Sequence, residues 1–498
     1  MELIRILAYF IFGSFLLIYL ALKRNNSYFS KRGILHDKPE LFYGNVKEFT
    51  RSKTLYQIIR EYYMKYKGTG RFVGIYLYMR KAMMLLDLDL IQDICVKDFE
   101  NFTDHGYYCN EKDDPVSANL LNLDGVRWKR MRAKLTPAFT SRKIKFMLTS
   151  VVDIANQLVN VLEETLSSTN MDDGVHCDDL MVRYTTDVTG SVAFGLKCNS
   201  LRNPNCEFIA ITKKLCYYRY SMPIVALMTL FPNLFRKLKF KYIIEEVSQF
   251  FLRVVRETVE FRDRTGEQRK DFLNILMELR KPNTVDNLTI DEIAAQAYVF
   301  FVAGYETSAS ALSFCLYELA LNQDIQDKAR REITETIARH DGKLTYETVK
   351  EMKYLLQVMH ETMRMYSIVP FLSRKTAEDY IVSNTNHVIE KGTTVIIPMD
   401  AIHHDPDKYS NPEQFDPERF TKTEVENRHP MAWLGFGRGG RACIGSRVGE
   451  FQVLIGLSSL LKNFRFSPSQ KTQIPMKFNM YKVFRGPEKG VYLKVEKL

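Results

Sequence analysis

Between Gly435 and Glu450 the chain reads GFGRGGRACIGSRVGE. Glycines let a backbone turn tightly and approach a neighbour closely, so a cysteine inside such a turn, here Cys443, is presented rather than packed away. A helix start just behind it and arginines beside it both favour an anion, which makes Cys443 a place for a thiolate. One thiolate cannot build a structural zinc site, which takes four ligands; one is enough to hold a haem iron. Two other chemistries compete here. GRGGRA has the spacing of a dinucleotide-binding turn, but no clear strand precedes it and no acid follows about twenty residues on. A nucleophilic cysteine would want a histidine partner, and nothing in the sequence marks one.

Three further stretches carry chemistry. FFVAGYETSAS places Glu306 and Thr307 inside a greasy helical run beside Ala303 and Gly304. A helical glycine costs about 1 kcal/mol relative to alanine, and a threonine hydroxyl can bond the carbonyl four residues back. This predicts a kinked, opened turn bearing an acid and a hydroxyl, suited to proton delivery; the alternative is a tolerated glycine near a partly exposed acid. In HETMRMY, Glu361 and Arg364 share a helix face; taken alone they read as a surface ion pair contributing about 0.3–0.5 kcal/mol. In VRWKRMR, Trp128 and Arg132 are four apart, so one helix face offers an indole N–H and a guanidinium, a pair suited to a carboxylate.

Elements must hold these groups. Residues 52–66 have helical character, and 70–86 are rich in β-branched and aromatic residues and predict a hairpin. Residues 150–166, 290–322 and 324–339 carry helical periodicity, with Asn287-Leu288-Thr289 as a cap region for the second. After Pro370 the pieces become short and strand-like, and GEFQVLIGLSSLLKNF predicts a helix directly after the cysteine. The expected fold is mainly α with small β-sheets near 70–85, 370–400 and the C-terminus (α+β).

The order of the motifs is more specific than any one of them. WxxxR, AGxET, ExxR, FDPERF and FGxGxRxCxG follow one another along the chain, and in this the sequence resembles the cytochrome P-450 haem-thiolate family from end to end. Within that family WKRMRAKLTPAFTSRKIKFM and the C-terminus resemble microsomal insect members that handle hydrophobic xenobiotics. The resemblance implies haem b with Cys443 as axial ligand, the loop from Phe436 to Gly445 beneath it, and Arg441, Trp128, Arg132 and Arg374 at its propionates. It implies a structural triad of Glu361, Arg364 and Arg419, an oxygen groove at Ala303 and Gly304, and a proton relay at Glu306 and Thr307. It implies a monooxygenase acting on apolar molecules, insecticides or plant toxins or endogenous lipids and hormones, with O2 and with electrons from NADPH–cytochrome P-450 reductase and cytochrome b5 as a further donor. The substrate pocket is expected near 107–121, 208–224, 300–303, 368–371 and 483–484. A haem-thiolate isomerase or dehydratase is an alternative, although such enzymes usually alter the threonine that Thr307 keeps; a haem-bearing binding protein without turnover is another. Gly435 and Gly440 stand where proline is common, Ala442 where asparagine is frequent and Val448 where phenylalanine is usual, which predicts a more flexible loop and a less tightly held haem.

Bulk properties agree. The 498 residues are 46% hydrophobic and 26% charged, with a net charge of +11. The basic residues are scattered, without an arginine-rich arm or zinc-finger spacing, which argues against nucleic acid and for an acidic partner or an anionic membrane surface. Eight cysteines form no CxxC pair, so reduced thiols are expected. Ile6 to Leu22 carries no charge, at the short end of a bilayer-spanning helix. Lys23, Arg24, Lys31 and Arg32 follow it, against Arg5 before it, which by the positive-inside rule puts the remainder in the cytoplasm. A cleaved signal peptide is the competing reading. The expected organisation is an anchor over 1–24, a polar, proline-containing linker over 25–50 and one haem-thiolate catalytic domain over 51–498, held at the endoplasmic reticulum. The apolar stretch 217–232 is read either as a second membrane contact or as a buried helix pair.

Overall fold

Thr289 starts the longest helix. Its hydroxyl accepts from the Glu292 N–H while the Glu292 side chain accepts from the Thr289 N–H; this capping box satisfies two donors that a helix start otherwise leaves unpaired. In a computed structural model of the protein, which describes every residue except 50, 148, 168–172, 216, 218, 219, 221 and 281–286, this central helix runs from Ile290 to Leu321. Helices Cys177–Phe194, Glu245–Thr265, Lys353–Met365 and Ser446–Asn463 all pack on it, and their apolar faces make one large core. The central helix is α-helical throughout, without the opened turn expected at Gly304. The glycine has a packing reason instead: a Cβ there would stand 3.1 Å from Thr189 Cγ2 on the crossing helix, tighter than side chains normally approach.

The hairpin expected over 70–86 is Phe72–Leu77 paired antiparallel with Arg80–Leu85. Thr394–Ile397 lies parallel to the second strand, and Leu372–Lys375 pairs antiparallel with it from the other side. This four-stranded sheet covers a second apolar core and carries Arg374 to the site. The strands near the C-terminus are Phe464–Pro468 and Tyr492–Lys497, joined by Val175–His176. The fold is thus mainly helical with small sheets, as the motif order implied.

The helix Glu2–Asn26 stands apart. Its apolar residues are exposed, Leu22 being the buried one, and its mean hydropathy reaches 2.2 with none of that window buried. The central helix is also long and apolar, but 67% of its window is buried, so its composition belongs to a core. The seven described cysteines are all free; Cys216 lies outside the described residues.

Candidate haem-thiolate site

The cysteine loop is built by backbone hydrogen bonds. Gly437 N–H donates to the Leu434 carbonyl at 2.7 Å, Ala442 N–H to Gly439 at 3.0 Å, and Cys443 N–H to Phe436 at 2.8 Å. Gly437 and Gly439 have φ of +69° and +76°, which side-chain-bearing residues rarely adopt. At Gly439 a Cβ would also run into the Cys95 carbonyl. Gly445 caps the following helix, and its N–H approaches the Cys443 sulfur. At the departures from the family pattern the glycines have close neighbours. A side chain at Gly435 would strike the Trp433 ring and one at Gly440 the Phe99 ring, so aromatic rings fill the space, and Val448 is buried in the core.

Cys443 is enclosed by the fold yet its surface is open, the combination found at the floor of an internal cleft. The expectation that the loop alone favours a thiolate is not met: burial pushes the Cys443 thiol up, and the Gly445 N–H and Arg132 oppose this without overcoming it. A cation directly on the sulfur would reverse that balance. The central helix presents Ala303 as exposed and Gly304 and Thr307 as half-exposed, in a helix otherwise mostly buried. Thr307 Oγ1 donates to the Ala303 carbonyl at 2.6 Å, the bond expected from sequence. Glu306 is buried.

Cations converge beside the loop. Arg132 Nη2 donates to the Ala442 carbonyl at 3.0 Å. Arg374 is buried, and its Nε has no partner among the described residues. No carboxylate acts on either guanidinium; burial lowers the pKa of both. Arg441 differs from what was expected of it. Its Nε donates to Thr103 O at 2.6 Å, Nη1 to Leu120 O at 3.2 Å and Nη2 to Leu123 O at 2.7 Å; Asp124 lies at 3.6 Å, and the guanidinium lies 4.1 Å from the centroid of the Trp128 ring. It braces the segment before Trp128 and has few donors left for a propionate. The residues fit a dianionic porphyrin and a soft iron ligand: an open sulfur, a buried guanidinium whose Nε is unpartnered among the described residues while its Nη1 donates to Ser373 O at 2.7 Å, and a second guanidinium without an acid.

Behind the loop the proposed surface pair is in fact buried. Arg364 Nε and Nη2 donate to the two Glu361 oxygens at 2.6 and 2.9 Å, both side chains have no exposure, and Arg419 Nε lies 3.3 Å from Glu361. Arg364 Nη1 continues to the His403 carbonyl at 2.8 Å. Sequence reasoning passed over His403. Its Nε2 accepts from Leu434 N–H at 2.9 Å and its Nδ1 meets Ser367 Oγ at 3.0 Å, so a neutral imidazole ties the arginine to the root of the cysteine loop. HHDP, at 403–406, carried no recognisable spacing to reveal this. Asp400 was missed as well: it is buried against Arg485 at 2.8 Å and Arg60 at 2.8 Å.

Burial drives His403 down to about 3, against an ordinary value of 6.5. A depressed folded pKa means stability is complete above about pH 6.5 and is lost as pH falls towards 3. In His403→Gln, which keeps an acceptor for Leu434, the unfolding free energy from urea titration should fall less steeply over that range, by about 1.4 kcal/mol per pH unit. An unchanged pH slope would refute the buried neutral imidazole.

The profile of the family described as Cytochrome P450 matches residues 36–495. The chain belongs to the cytochrome P450 family. This P450 is 43% identical over 486 residues to cytochrome P450 6a2 of Drosophila melanogaster, covering 95% of the chain and 96% of that protein. It is 45% identical over 487 residues to probable cytochrome P450 6a18 of the same fly, at 95% and 96% coverage, and 43% identical over 484 residues to cytochrome P450 6a8, at 95% and 95%. The insect type of P450 read from the motifs is therefore right. As a P450 it is a monooxygenase that uses haem b with an axial cysteine thiolate, dioxygen, a redox partner and a hydrophobic substrate.

Proposed function

We propose that this chain oxygenates neutral and amphipathic apolar molecules, foreign compounds among them, at the endoplasmic reticulum, with electrons from NADPH–cytochrome P450 reductase. The observation that carries the reading is the open sulfur of Cys443 inside the fold, in a protein whose central helix exposes Ala303 and Thr307 where helices normally bury. Cys443 would hold the iron, Arg132, Arg374 and Trp128 the propionates, and Arg441 the segment that carries them. Haem, when bound, supplies the dioxygen and redox chemistry.

The protein's own part is positioning and proton handling. The Glu361–Arg364–Arg419 triad and His403 fix the loop. Ala303, exposed on the central helix, leaves room beside it for dioxygen, and Gly304 next to it lets the helix close on Thr189. Thr307 holds its hydroxyl on the Ala303 carbonyl, and the neighbouring Glu306 carboxyl supplies protons towards Thr307 Oγ1. A net charge of +11 suits an acidic flavoprotein donor; cytochrome b5 fits the same surface logic. The exposed apolar helix Glu2–Asn26 would anchor the chain, with residues 25–50 as a linker and the catalytic domain over 51–498 facing the cytoplasm. Leu230, Phe231, Leu234 and Leu238 are exposed and would form a second membrane contact; Ala226 and Met228 are buried, so the stretch 217–232 combines both earlier readings, while 218, 219 and 221 lie outside the described residues.

The test is reconstitution of the full chain with reductase, NADPH and 18O-labelled dioxygen, using neutral 7-ethoxycoumarin. Product formation that needs both reductase and NADPH is expected. Thr307→Ala should lower it by on the order of 10²-fold with haem content kept. Turnover indifferent to reductase would remove that partner, and full activity of Thr307→Ala would remove the relay.

A further inference from the structure

The aromatic rings behind the cysteine loop enclose a charge. Gly435 leaves room for Trp433, since a Cβ there would stand 2.7 Å from Trp433 Cζ2. The Trp433 ring lies 6.2 Å from Phe436 in the loop, 5.7 Å from Phe420 and 4.5 Å from the imidazole of His360, centroid to centroid. His360 Nε2 faces Glu450, whose Oε1 is 3.6 Å away. Glu450 stands on the helix that begins at Ser446, five residues past Gly445 and so about 7.5 Å further along its axis.

The contact between His360 and Glu450 is longer than a hydrogen bond. His360 Nε2 is buried without a hydrogen-bond partner among the described residues, and so is the Trp433 indole nitrogen; neither ring is placed there to satisfy a polar group. Among the described residues His360 is the one basic side chain within ion-pair reach of Glu450, and the two side chains are 20% and 26% exposed. Aromatic rings on one side keep water away and lower the effective dielectric, so a charge here acts further than one on the open surface. The sulfur feels it. Burial is the first cause that pushes the Cys443 thiol up and Glu450 adds to it, while the Gly445 N–H and Arg132 oppose both.

We infer that Glu450, faced by His360 and walled off by Trp433, sets the reduction potential of the haem iron and holds it down. Uptake of one electron by the ferric site, with the redox partner oxidised by one electron, makes the charge beside the sulfur more negative; no bond and no proton is exchanged. A carboxylate behind the sulfur opposes that change for the same reason that it opposes a thiolate. Arg132 acts the other way, so two opposite charges bracket the ligand. The inference rests on Cys443 as the axial ligand and adds a residue that tunes it without touching it.

The potential of the haem-loaded full chain is read by titration with dithionite and redox mediators, following the Soret band, for the wild type, Glu450→Gln and Glu450→Asp. Glu450→Gln keeps the shape and removes the charge. It should favour the ferrous form by about three- to tenfold, with partial exposure of Glu450 allowed for; tenfold is about 59 mV for a one-electron couple. Glu450→Asp keeps the charge and should stay near the wild type. An unchanged or lowered potential in Glu450→Gln overturns the inference, and so does an equal rise in Glu450→Asp, which would assign the effect to packing. Should Glu450→Gln fail to load haem, measured as pyridine haemochromogen, Glu450→Ala carries the same expectation; failure of both makes Glu450 a folding residue and overturns the inference too. The parent reading fails separately, and takes this one with it, if the reduced wild type gives no red-shifted band with carbon monoxide.

Discussion

Cys443→Ala should abolish the red-shifted Soret band that carbon monoxide gives with the dithionite-reduced protein, while the chain is still made and inserted. The two halves of this expectation have separate causes. The sulfur is the sole soft ligand at the end of the helix that begins at Ser446, and no metal-binding cluster of three or more His, Cys, Asp or Glu side chains exists among the described residues to replace it. The loop itself is held by main-chain bonds from Gly437, Ala442 and Cys443, none of which needs the thiol. Membranes holding equal amounts of wild type and variant, read by difference spectroscopy, decide the matter. A band that persists in the variant would move the ligand away from Cys443 and undo the functional reading.

The second large effect is on stability. Arg364→Ala should cost about 3–5 kcal/mol, because it leaves the Glu361 carboxylate buried without its bidentate partner. It also unties the carbonyls of His403 and Pro412, each bonded to Arg364 at 2.8 and 2.7 Å. Arg364→Lys should rescue little, since one ammonium cannot serve two carboxylate oxygens and two carbonyls pointing different ways. Thermal melting and the yield of haem-loaded protein measure this. A variant that melts like the wild type would mean that the pair does not brace the loop.

That same pair shows what a sequence can and cannot disclose. Spacing put Glu361 and Arg364 on one helix face, but three-residue spacing is identical for a solvated pair and a buried one. The difference of several kcal/mol comes from burial among residues more than forty positions on: Arg419, Pro412, and Asp416, whose N–H donates to Glu361 Oε1 at 3.0 Å. The cap region ending at Thr289 was legible because it is local, and so was the hairpin at 72–85. Gly304 was legible as an anomaly, yet its cause lies in Thr189 on another helix, and no opened turn accompanies it. Gly435 and Gly440 looked like losses of rigidity because the rings of Trp433 and Phe99 that fill their space are known only from packing. Arg441 was expected at a propionate, whereas its donors go to the carbonyls of Thr103, Leu120 and Leu123, which no motif encodes. His403 and Asp400 escaped because a buried histidine or aspartate has no periodicity of its own.

The sheet that joins Val175 to Leu493 has a consequence for how the protein is made. Those partners leave the ribosome more than three hundred residues apart, a delay on the order of tens of seconds. Through that interval the helix Glu2–Asn26 is already available to the bilayer, whereas Val175–His176 lacks its partner strand and the central helix lacks Ser446–Asn463. Anchored as proposed, the nascent chain would be tethered long before it can close around its cofactor, with the apolar faces of its half-built core uncovered until translation ends.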